Sequence, residues 1–500
     1  MKKICLLLAL LLLLSGCSRE VDIPQTTQPS VNMEDRENAE PEVVTLDIYA
    51  VNDLHGKLAD TEVQPGVDEL STYLKQARQA GNTIFLATGD MWQGASESNL
   101  TGGLIITEWM NALDFDAMVV GGHEYDWGEE QLLRNQELAE FPFLAINIYS
   151  RETDNRVDYC QSSVVLEIEG AQIGIIGAIG DCYSSISSEM SKGVYFKIGA
   201  DLTELVKAEA EKLRSEGVDF IIYAIHDGYD ENTPSSRAVP VTDRALREYY
   251  DVALSEGYVD LVFEADSHYT YALTDRHGVY HLQAGGNNNG ISHASVLIDI
   301  TNSNSFVFTA EPMPASKYSY MDDDPVVAEL LEKYSEEIAP ATRILGKNGD
   351  FRSKDTICQL VADLYCDKGM EKWGAEYNIV LGGGYMSCRS PGYLPTGEVS
   401  YSQLLSLLPF DNRITLCSIQ GRDLISRFLE NDHYAYYIKT TAYGESIRSS
   451  IDPDAVYYVV TDTYSAYYSY NNMTVIDTYA EDIFARDLVA DYICEGGLQR

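Results

Sequence analysis

The fold class is decided by a short stretch of the sequence: residues 83–90 read T-I-F-L-A-T-G-D. The apolar run predicts a buried β-strand, and the Gly-Asp pair at its carboxyl end predicts a tight turn. The same pattern, an apolar strand followed by a loop with Gly, Asp or His, recurs at residues 44–56, 117–124, 220–228 and 259–268. Helical stretches separate several of these strands. The alternation predicts an α/β fold, in which ligands bind beyond the carboxyl ends of the strands.

The loops at these strand ends contain residue types that bind divalent metal ions. The candidate ligands are Asp53, His55, Asp90, His226, Asp266 and His268. Carboxylates and imidazoles that converge on one rim are what a two-metal phosphoester site requires, because two cations polarise the phosphoryl oxygens and activate a water. These ligand types suit Mn, Zn, Fe, Co or Mg and do not select among them. Each motif alone also fits an ordinary turn, but four of the eight histidines lie at strand ends, which favours a metal site.

The overall charge limits the classes of partner. The 500 residues include 35 Lys and Arg against 78 Asp and Glu, which gives a formal net charge of −43. A surface this acidic repels phosphate backbones, so DNA and RNA polymers are poor partners. An anionic small substrate would need metal ions or a few well-placed arginines. The length predicts two or three domains, and no obligate protein partner is evident from the sequence.

The N-terminus has the pattern of a secretory signal. Two lysines precede an apolar run over residues 4–14, which is shorter than the roughly 20 residues that span a bilayer. Residues 14–17 read L-S-G-C and resemble the bacterial lipobox, in which the cysteine is lipidated. We therefore expect a signal peptide over residues 1–16, lipidation at Cys17 and a flexible spacer over residues 17–42. The body is then extracytoplasmic and lipid-anchored to the bacterial cell membrane.

The pattern of predicted strands and loops changes after residue 315 and divides the mature chain into domains. Residues 43–315 carry the strand and loop pattern and are expected to form the first domain. A polar helical stretch within residues 316–343 predicts a connecting helix or linker. A second domain is expected over residues 344–500, where G-G-G follows a strand-like segment and P-F-D-N predicts a turn at residues 409–412.

Seven motifs resemble, in order and spacing, those of the 5′-nucleotidases with a calcineurin-like metallophosphoesterase domain. In this sequence they read N-D-L-H-G, A-T-G-D-M-W-Q-G, G-G-H-E-Y-D-W-G, I-H-D-G, D-S-H-Y, G-G-G and P-F-D-N. The resemblance covers nearly the whole mature chain. It implies a four-layer αββα metallophosphoesterase domain, a connecting helix and an α+β C-terminal domain that binds the nucleoside.

The resemblance also implies two divalent metal ions and assigns ligands to each. Asp53, His55 and His268 match the ligands of the first metal. Asp90 matches the carboxylate that bridges the two metals, and His226 matches a ligand of the second.

A catalytic dyad and a substrate clamp are implied in the same way. His123 and Asp126 match a histidine, oriented by the aspartate, that stabilises charge on the phosphoryl oxygens or the leaving group. Phe410 and Tyr464 match two aromatic residues that sandwich the base. Arg352 matches an arginine that reaches the anionic group of the substrate, where a planar guanidinium suits phosphate.

Several positions depart from the family pattern, and they affect the second metal and the clamp. The family's G-N-H-E has an asparagine ligand where this chain has Gly122, which offers no side chain. Asp266 replaces a histidine of the family's G-H-x-H, and an aspartate can still bind a hard cation. Met386 stands in place of an arginine after the glycines, and Arg389, three residues further on, is a candidate substitute.

The sequence therefore predicts a phosphoric ester hydrolase that removes phosphate from extracellular nucleotides. A 5′-nucleotidase, a 2′,3′-cyclic phosphodiesterase/3′-nucleotidase and a UDP-sugar hydrolase all remain open. P-F-D-N in place of the family's P-F-G-N leans toward the cyclic-phosphodiesterase group. The alternative is a lipoprotein that binds nucleotides or metal without turnover. The loss of two second-metal ligands favours that alternative, and the retained His123 and Asp126 oppose it.

Overall fold

The computed structural model describes most of the chain from residue 42 onward. The described residues are 42–60, 66–180, 186, 188–228, 257–275, 277–302, 304–386, 388–389, 391–430, 436–441, 447–467, 472–479 and 484–499. The predicted signal peptide, Cys17 and nearly all of the predicted spacer lie outside them. Among the described helices, none combines the length and the apolarity that crossing a lipid bilayer requires.

Two β-sheets form the first half of the described chain. Six described strands make the first sheet: β1 (Val43–Val51), β2 (Thr83–Ala87), β3 (Ala117–Val119), β4 (Phe143–Leu144), β13 (Gly290–Asp299) and β14 (Asn304–Pro314). Another six make the second: β6 (Ser163–Ile168), β7 (Ala171–Ile179), β9 (Phe220–His226), β10 (Leu261–Phe263), β11 (Thr270–Thr274) and β12 (Tyr280–Ala284). A separate antiparallel pair joins β5 (Ile148–Ser150) to β8 (Val194–Phe196).

The strand order puts parallel strands at the centre of both sheets. It is β14–β13–β1–β2–β3–β4 in the first sheet and β11–β12–β10–β9–β7–β6 in the second. The pairs β1–β2, β2–β3, β7–β9 and β9–β10 are all parallel. Each sheet therefore gathers the carboxyl ends of its central strands at one edge.

Alternation along β1 explains why the sheets stack in layers. Leu46 and Ile48 point from one face and pack in a core shared with the second sheet, which includes Ile175 of β7. Tyr49 and Val51 point from the other face and pack against helices. The described helices of the first half are α1 (Asp68–Ala80), α2 (Ser96–Leu100), α3 (Leu104–Ala112), α4 (Gly128–Leu138) and α5 (Ala200–Ser215).

The outer helices complete a four-layer arrangement. Helices α1, α3 and α4 bury apolar residues in the core that lies on the outer face of the first sheet. Helix α5 buries an apolar stripe against the outer face of the second sheet. The order of layers is therefore helices, sheet, sheet, helix, and the predicted four-layer αββα architecture is confirmed.

The connecting segment contains α6 (Pro325–Lys333) and α7 (Ser335–Ile338). Asp324 caps α6, because its side chain accepts a hydrogen bond from the backbone N–H of Val326 at 2.9 Å. The sequence of this segment is polar overall, yet Val327 and Leu330 are buried in the core that covers the first sheet. An ion pair of 2.8 Å between Lys75 and Asp324 also joins α6 to α1. The segment is thus a helix packed onto the first layer.

A mixed sheet forms the second half. Its five described strands are β17 (Ile379–Tyr385), β20 (Ile414–Gln420), β21 (Tyr436–Thr440), β22 (Val456–Asp462) and β23 (Thr474–Thr478), in the order β21–β17–β22–β20–β23. Short antiparallel pairs join β15 (Ile344–Asn348) to β19 (Gly397–Ser400) and β16 (Arg352–Ser353) to β18 (Tyr393–Leu394). The helices are α8 (Lys354–Trp373), α9 (Tyr401–Leu407), α10 (Gly421–Leu424), α11 (Ile447–Ser450), α12 (Thr463–Tyr467) and α13 (Ala485–Cys494). The predicted α+β class of this half is confirmed.

We expect Ile48→Ala to lower the free energy of unfolding by about 2–5 kcal/mol, because the substitution leaves a cavity between the two sheets. Ile48 is completely buried. The matched control is Val43→Ala in the same strand, whose side chain is 42% exposed and whose loss should change stability by less than about 0.5 kcal/mol. Denaturant unfolding measures both variants, and equal losses would contradict the sheet-to-sheet packing.

Candidate active site

The predicted metal ligands lie in loops at the carboxyl ends of four strands. In chain order they are Asp53 and His55 after β1, Asp90 after β2, His226 at the end of β9, and Asp266 and His268 after β10. Strands β1 and β2 are parallel neighbours in the first sheet, and β9 and β10 are parallel neighbours in the second. The structure brings all four loops together, as the sequence pattern predicts.

Five of these side chains form two groups that share one aspartate. Potential ligand atoms of Asp53, His55 and His268, here called the first ligand group, lie within 4.8 Å of one another. The same holds for Asp53, Asp90 and His226, the second ligand group. Nε2 of His268 is 3.4 Å from Oδ1 of Asp53 and 3.1 Å from Nε2 of His55. Nε2 of His226 is 3.2 Å from Oδ1 of Asp90. Among the described residues, Asp53 thus belongs to both groups, whereas the family resemblance gives the bridging position to Asp90.

Backbone carbonyls fix the ring orientation of two histidines. Nδ1 of His55 donates to the carbonyl oxygen of Gln93 at 2.8 Å, and Nδ1 of His226 donates to that of Thr88 at 2.7 Å. Because a carbonyl only accepts, both rings carry a proton on Nδ1 and present Nε2 to the ligand groups. Burial, with smaller effects from Arg389 and His268, lowers the pKa of His55 well below its ordinary value. A neutral imidazole held in this way, as at His55, is the form that binds metal. At His226 burial lowers the pKa, but Asp90 outweighs it and raises the pKa well above its ordinary value.

The site loops hold an unusual backbone conformation. The residues with left-handed φ angles, between +48° and +65°, are Asp53, His55, Asp90, Asp266 and His268. This conformation costs about 1–2 kcal/mol for a residue with a side chain, and it persists where the surroundings enforce it. Backbone hydrogen bonds enforce it here: the N–H of Asp53 donates to Gly89 at 3.1 Å and that of His55 to Asp90 at 3.0 Å.

Glu124 holds the second ligand group in place. Its carboxylate is 1% exposed and accepts backbone hydrogen bonds from Asp90 at 2.9 Å, Met91 at 2.8 Å and Gly121 at 2.7 Å. Burial, and next the nearby charge of Asp90, raises the pKa of Glu124 to about 7. No role for this residue is predicted from the sequence. Its place beside the histidine in G-G-H-E was a signal, but only the fold shows which loop it holds.

The predicted dyad forms beside these groups. Nδ1 of His123 is 2.7 Å from Oδ2 of Asp126, and Nε2 lies 3.9 Å from Oδ2 of Asp90. The guanidinium of Arg389 contacts the same Nε2. Burial lowers the pKa of His123, but Asp126 and Asp90 outweigh it and raise the pKa above its ordinary value. Arg389 opposes this rise, because its positive charge disfavours a second cation beside it.

A cavity of about 280 Å³ opens from the dyad into the second half of the chain. Phe410 and Tyr464 both line it. The ring of Phe410 lies 5.8 Å from that of His123, and the guanidinium carbon of Arg389 lies 5.3 Å from the centre of the Phe410 ring. Tyr464 lies 6.0 Å from the ring of Tyr385. An aromatic cavity therefore adjoins the dyad and the ligand groups.

Arg486 fixes the turn that carries Phe410. It is 8% exposed, makes a 2.5 Å ion pair with Asp411 and donates to the carbonyl oxygen of Phe410 at 3.0 Å. Arg486 is not among the predicted site residues, and it lies 76 positions further along the chain than Phe410. No local motif marks it, because its role arises only when α13 packs beside the turn.

Arg352, by contrast, is not among the residues that line the aromatic cavity. Its Nε donates to Oδ1 of Asn348 at 3.1 Å, and its backbone pairs with Leu394 in β16–β18. Arg389 contacts the dyad instead. Arg389 is the candidate substitute for the arginine that the 5′-nucleotidase pattern has at the position of Met386. The binding role of Arg352 stays a prediction.

Comparisons with known proteins agree with this geometry. No protein-family model matches the chain. Apyrase of Tabanus yao is 27% identical over 425 residues, which cover 77% of this chain and 72% of the apyrase. The 5′-nucleotidase of Vibrio vulnificus is 23% identical over 467 residues, which cover 85% of this chain and 80% of that protein. The chain is thus similar over most of its length to proteins named 5′-nucleotidase.

A solved structure of a protein named 5′-nucleotidase has a similar fold. A 5′-nucleotidase precursor from Thermus thermophilus superposes with a TM-score of 0.70 at 18% identity, covering 90% of this chain and 96% of that one. At this identity the likeness concerns the fold, which extends through both halves. The relatives named apyrase and 5′-nucleotidase are phosphoric ester hydrolases, the enzyme class that the sequence predicts for this chain.

The structure describes two of the positions at which this chain departs from the 5′-nucleotidase pattern. A Cβ atom built on Gly122 would lie 3.7 Å from Ile186 and 3.9 Å from Oδ1 of Asp90, so the missing asparagine has left room for a side chain. Asp266 is in neither ligand group among the described residues, and its role as a metal ligand stays a prediction. Its backbone N–H donates to both carboxylate oxygens of Asp53, at 3.1 and 3.0 Å.

A buried ion network supports the loop that carries Asp266. Nδ1 of His281 is 3.0 Å from Oε1 of Glu264, and Nε2 is 3.4 Å from Oδ2 of Asp275. Tyr271 donates its hydroxyl to the other oxygen of Glu264. Burial lowers the pKa of His281, but the hydrogen bonds to Asp275 and Glu264 outweigh it and raise the pKa to about 9.

This network predicts a pH-dependent stability. His281 has a higher pKa in the folded state than the value of about 6.5 expected after unfolding. Its contribution is therefore complete below about pH 6.5 and is lost as the pH rises toward about 9. We expect His281→Gln to reduce the fall in melting temperature over this interval, with exposed His277→Gln as the control. Equal slopes in the wild type and His281→Gln would contradict the role of His281.

Proposed function

We propose that the chain is an extracytoplasmic, metal-dependent phosphohydrolase that removes phosphate from nucleotides. One observation carries the proposal: two ligand groups, joined by Asp53, lie beside the His123–Asp126 dyad at the mouth of an aromatic cavity. Hydrolysis of a nucleotide ester needs metal ligands, a group that can donate or accept a proton, and a surface on which the base can stack.

The donor set fits two divalent cations. We propose that Asp53, His55 and His268 hold one ion and that Asp53, Asp90 and His226 hold the other, with Asp266 as a further ligand of the second. The Nε2 atoms presented by His55 and His226, together with buried carboxylates, favour this use. Ions bound there would polarise phosphoryl oxygens and lower the pKa of a water. Mn, Zn, Co, Fe and Mg all suit these donors.

The chain's own residues would orient and neutralise the phosphoryl group. Arg389 presents a planar guanidinium beside His123, where it can donate to phosphoryl oxygens. Asp126 orients His123, whose Nε2 then faces the reacting group. We propose that His123 stabilises charge on the leaving oxygen or supplies its proton. The ring of Phe410 lies 5.8 Å from that of His123, on the cavity side of the dyad.

The aromatic cavity would hold the nucleoside. We propose that Phe410 and Tyr464 contact the base, with stacking worth about 1–3 kcal/mol by analogy with proteins that bind single strands. Stacking tolerates many bases, so the cavity alone does not choose one. The proposed division into domains at residues 43–315, 316–343 and 344–500 assigns the ligand groups to the first domain and the cavity aromatics to the last.

Location is proposed on the sequence alone. Residues 1–16 have the pattern of a signal peptide, and Cys17 stands where a lipobox cysteine is lipidated. Residues 17–42 would then serve as the spacer. Nucleotides outside the cytoplasm would be converted to phosphate and a nucleoside that the cell can import.

The direct test is phosphate release by the purified protein from 5′-AMP, 3′-AMP, 2′,3′-cyclic AMP and UDP-glucose, with Mn, Zn, Co, Mg or no added metal. We expect metal-dependent turnover that Asp53→Ala lowers by about a hundredfold or more, because a metal ligand shared by both groups is lost. Asp454→Ala, at an exposed position, is the matched control.

A metal count on the same preparations separates the outcomes. Two ions per chain with turnover of one substrate class would support the proposal and name the ester. Nucleotide binding without turnover under any metal would overturn it in favour of a non-catalytic binding lipoprotein.

Gly122 offers a gain-of-function prediction. Because its backbone is helical (φ −69°, ψ −44°) and space remains at its Cβ position, Gly122→Asn should fold and place an amide oxygen near Asp90. We expect it to tighten Mn²⁺ binding at the weaker site by about tenfold, as one added ligand would. Gly122→Ala adds the Cβ without the ligand and is the matched control. Titration calorimetry with Mn²⁺ decides, and equal affinity in both variants would count against the placement.

A further inference from the structure

A second cavity adjoins the first ligand group. It has a volume of about 200 Å³ and shares His268 and Arg389 with the aromatic cavity. Lys57, His55, Asn287 and Ser406 also line it. None of its described lining residues is an aspartate or a glutamate. In a chain with 78 acidic residues, a cavity lined by a lysine and an arginine without any carboxylate is a local exception.

Lys57 is the decisive residue in this cavity. It is 6% exposed, which is rare for a lysine unless its charge is paired. Among the described residues, no side-chain or backbone acceptor lies within hydrogen-bond distance of Nζ, and no carboxylate oxygen lies within 4.0 Å. Glu97 acts on it electrostatically from further away. A largely buried lysine that lines a cavity and makes no described ion pair would be stabilised by an anion bound in that cavity.

The neighbouring groups define the chemistry of that anion. Arg389 adds a second cationic donor, and the amide of Asn287 and the hydroxyl of Ser406 can add neutral ones. His55 and His268 place the cavity directly beside the first ligand group. A compact oxyanion with several acceptor oxygens matches these donors, and a phosphoryl group is the one that the proposed reaction brings to this position.

We propose that Lys57 and Arg389 form a phosphate subsite beside the first ligand group. The assignment rests on the proposed function for the identity of the anion. Two sources share this chemistry: the distal phosphoryl group of a substrate with two phosphoryl groups, or the orthophosphate released by the reaction. Lys57 is thereby given a binding role that none of the recognised motifs assigns to it.

Orthophosphate binding tests the subsite without requiring turnover. Isothermal titration of orthophosphate into the full protein, in the presence of Mn²⁺, would compare the wild type with Lys57→Met. We expect about tenfold weaker binding in the variant, because a charged hydrogen-bond donor is replaced by an apolar side chain of similar length. Exposed Lys347→Met is the matched control and should bind phosphate as the wild type does.

Kinetics then identify the source of the phosphate. A loss of kcat/KM about tenfold larger for ADP than for AMP in Lys57→Met would assign the subsite to a distal phosphoryl group. Weaker inhibition by orthophosphate, with equal effects on the two substrates, would assign it to the released product. Both results support the subsite.

Other results would overturn it. Orthophosphate affinity within about twofold of the wild type in both Lys57→Met and Lys57→Gln would remove the subsite, since such a difference is below the effect of one charged hydrogen bond. The second variant guards against misfolding of the first, and Lys57→Arg should restore binding. If the wild type hydrolyses no nucleotide, the proposed function fails, while the titration still decides the subsite.

Discussion

The crowding of buried carboxylates constrains everything else at this site. Asp53, Asp90 and Glu124 are all 3% exposed or less, and they meet within one set of loops. Buried negative charges repel one another and lose hydration, so each needs donors or cations. Glu124 is held by three backbone N–H groups. Burial raises the pKa of Asp90, but His226 and His123 outweigh it and bring the pKa well below its ordinary value.

That constraint explains the strained loops. Asp53 comes from the first sheet, yet it accepts two hydrogen bonds from the backbone of Asp266, which follows a strand of the second. Asn52 adds a side-chain donor at 2.8 Å. These bonds require the loops to turn sharply at the strand ends, which is where left-handed backbone conformations appear. The face-to-face packing of the two sheets is what brings the two loop sets within reach.

The sequence predicts the residues whose role depends on position along a strand. Asp53, Asp90 and His226 could be recognised because each ends an apolar strand, and parallel strands bring such ends together. Glu124 and Arg486 could not be recognised, because their roles depend on contacts between distant parts of the fold. Such contacts produce no motif or regular spacing in the sequence. Residues such as these hold the site loops without belonging to a strand-end pattern.

The arginines and the lysine show a similar limit. Arg352 sits at the position that the family pattern indicates, yet Arg389 is the residue that contacts His123. A motif gives the order of residues, whereas the reach of a long side chain depends on the path of its loop. Lys57 follows the N-D-L-H-G motif directly, and only its burial and lack of a described partner distinguish it.

Contacts between the two halves of the chain determine what the site can bind. Arg389 and Phe410 come from the second half, but both act on His123 of the first. Further bonds accompany them: Ser96 meets Ser402 at 2.7 Å. Arg389 and Phe410 therefore reach the dyad only when the halves are docked in this arrangement. Since the same docking places Arg389 in both cavities, phosphate recognition and nucleoside recognition depend on one interface, and a change that loosens it should weaken both together.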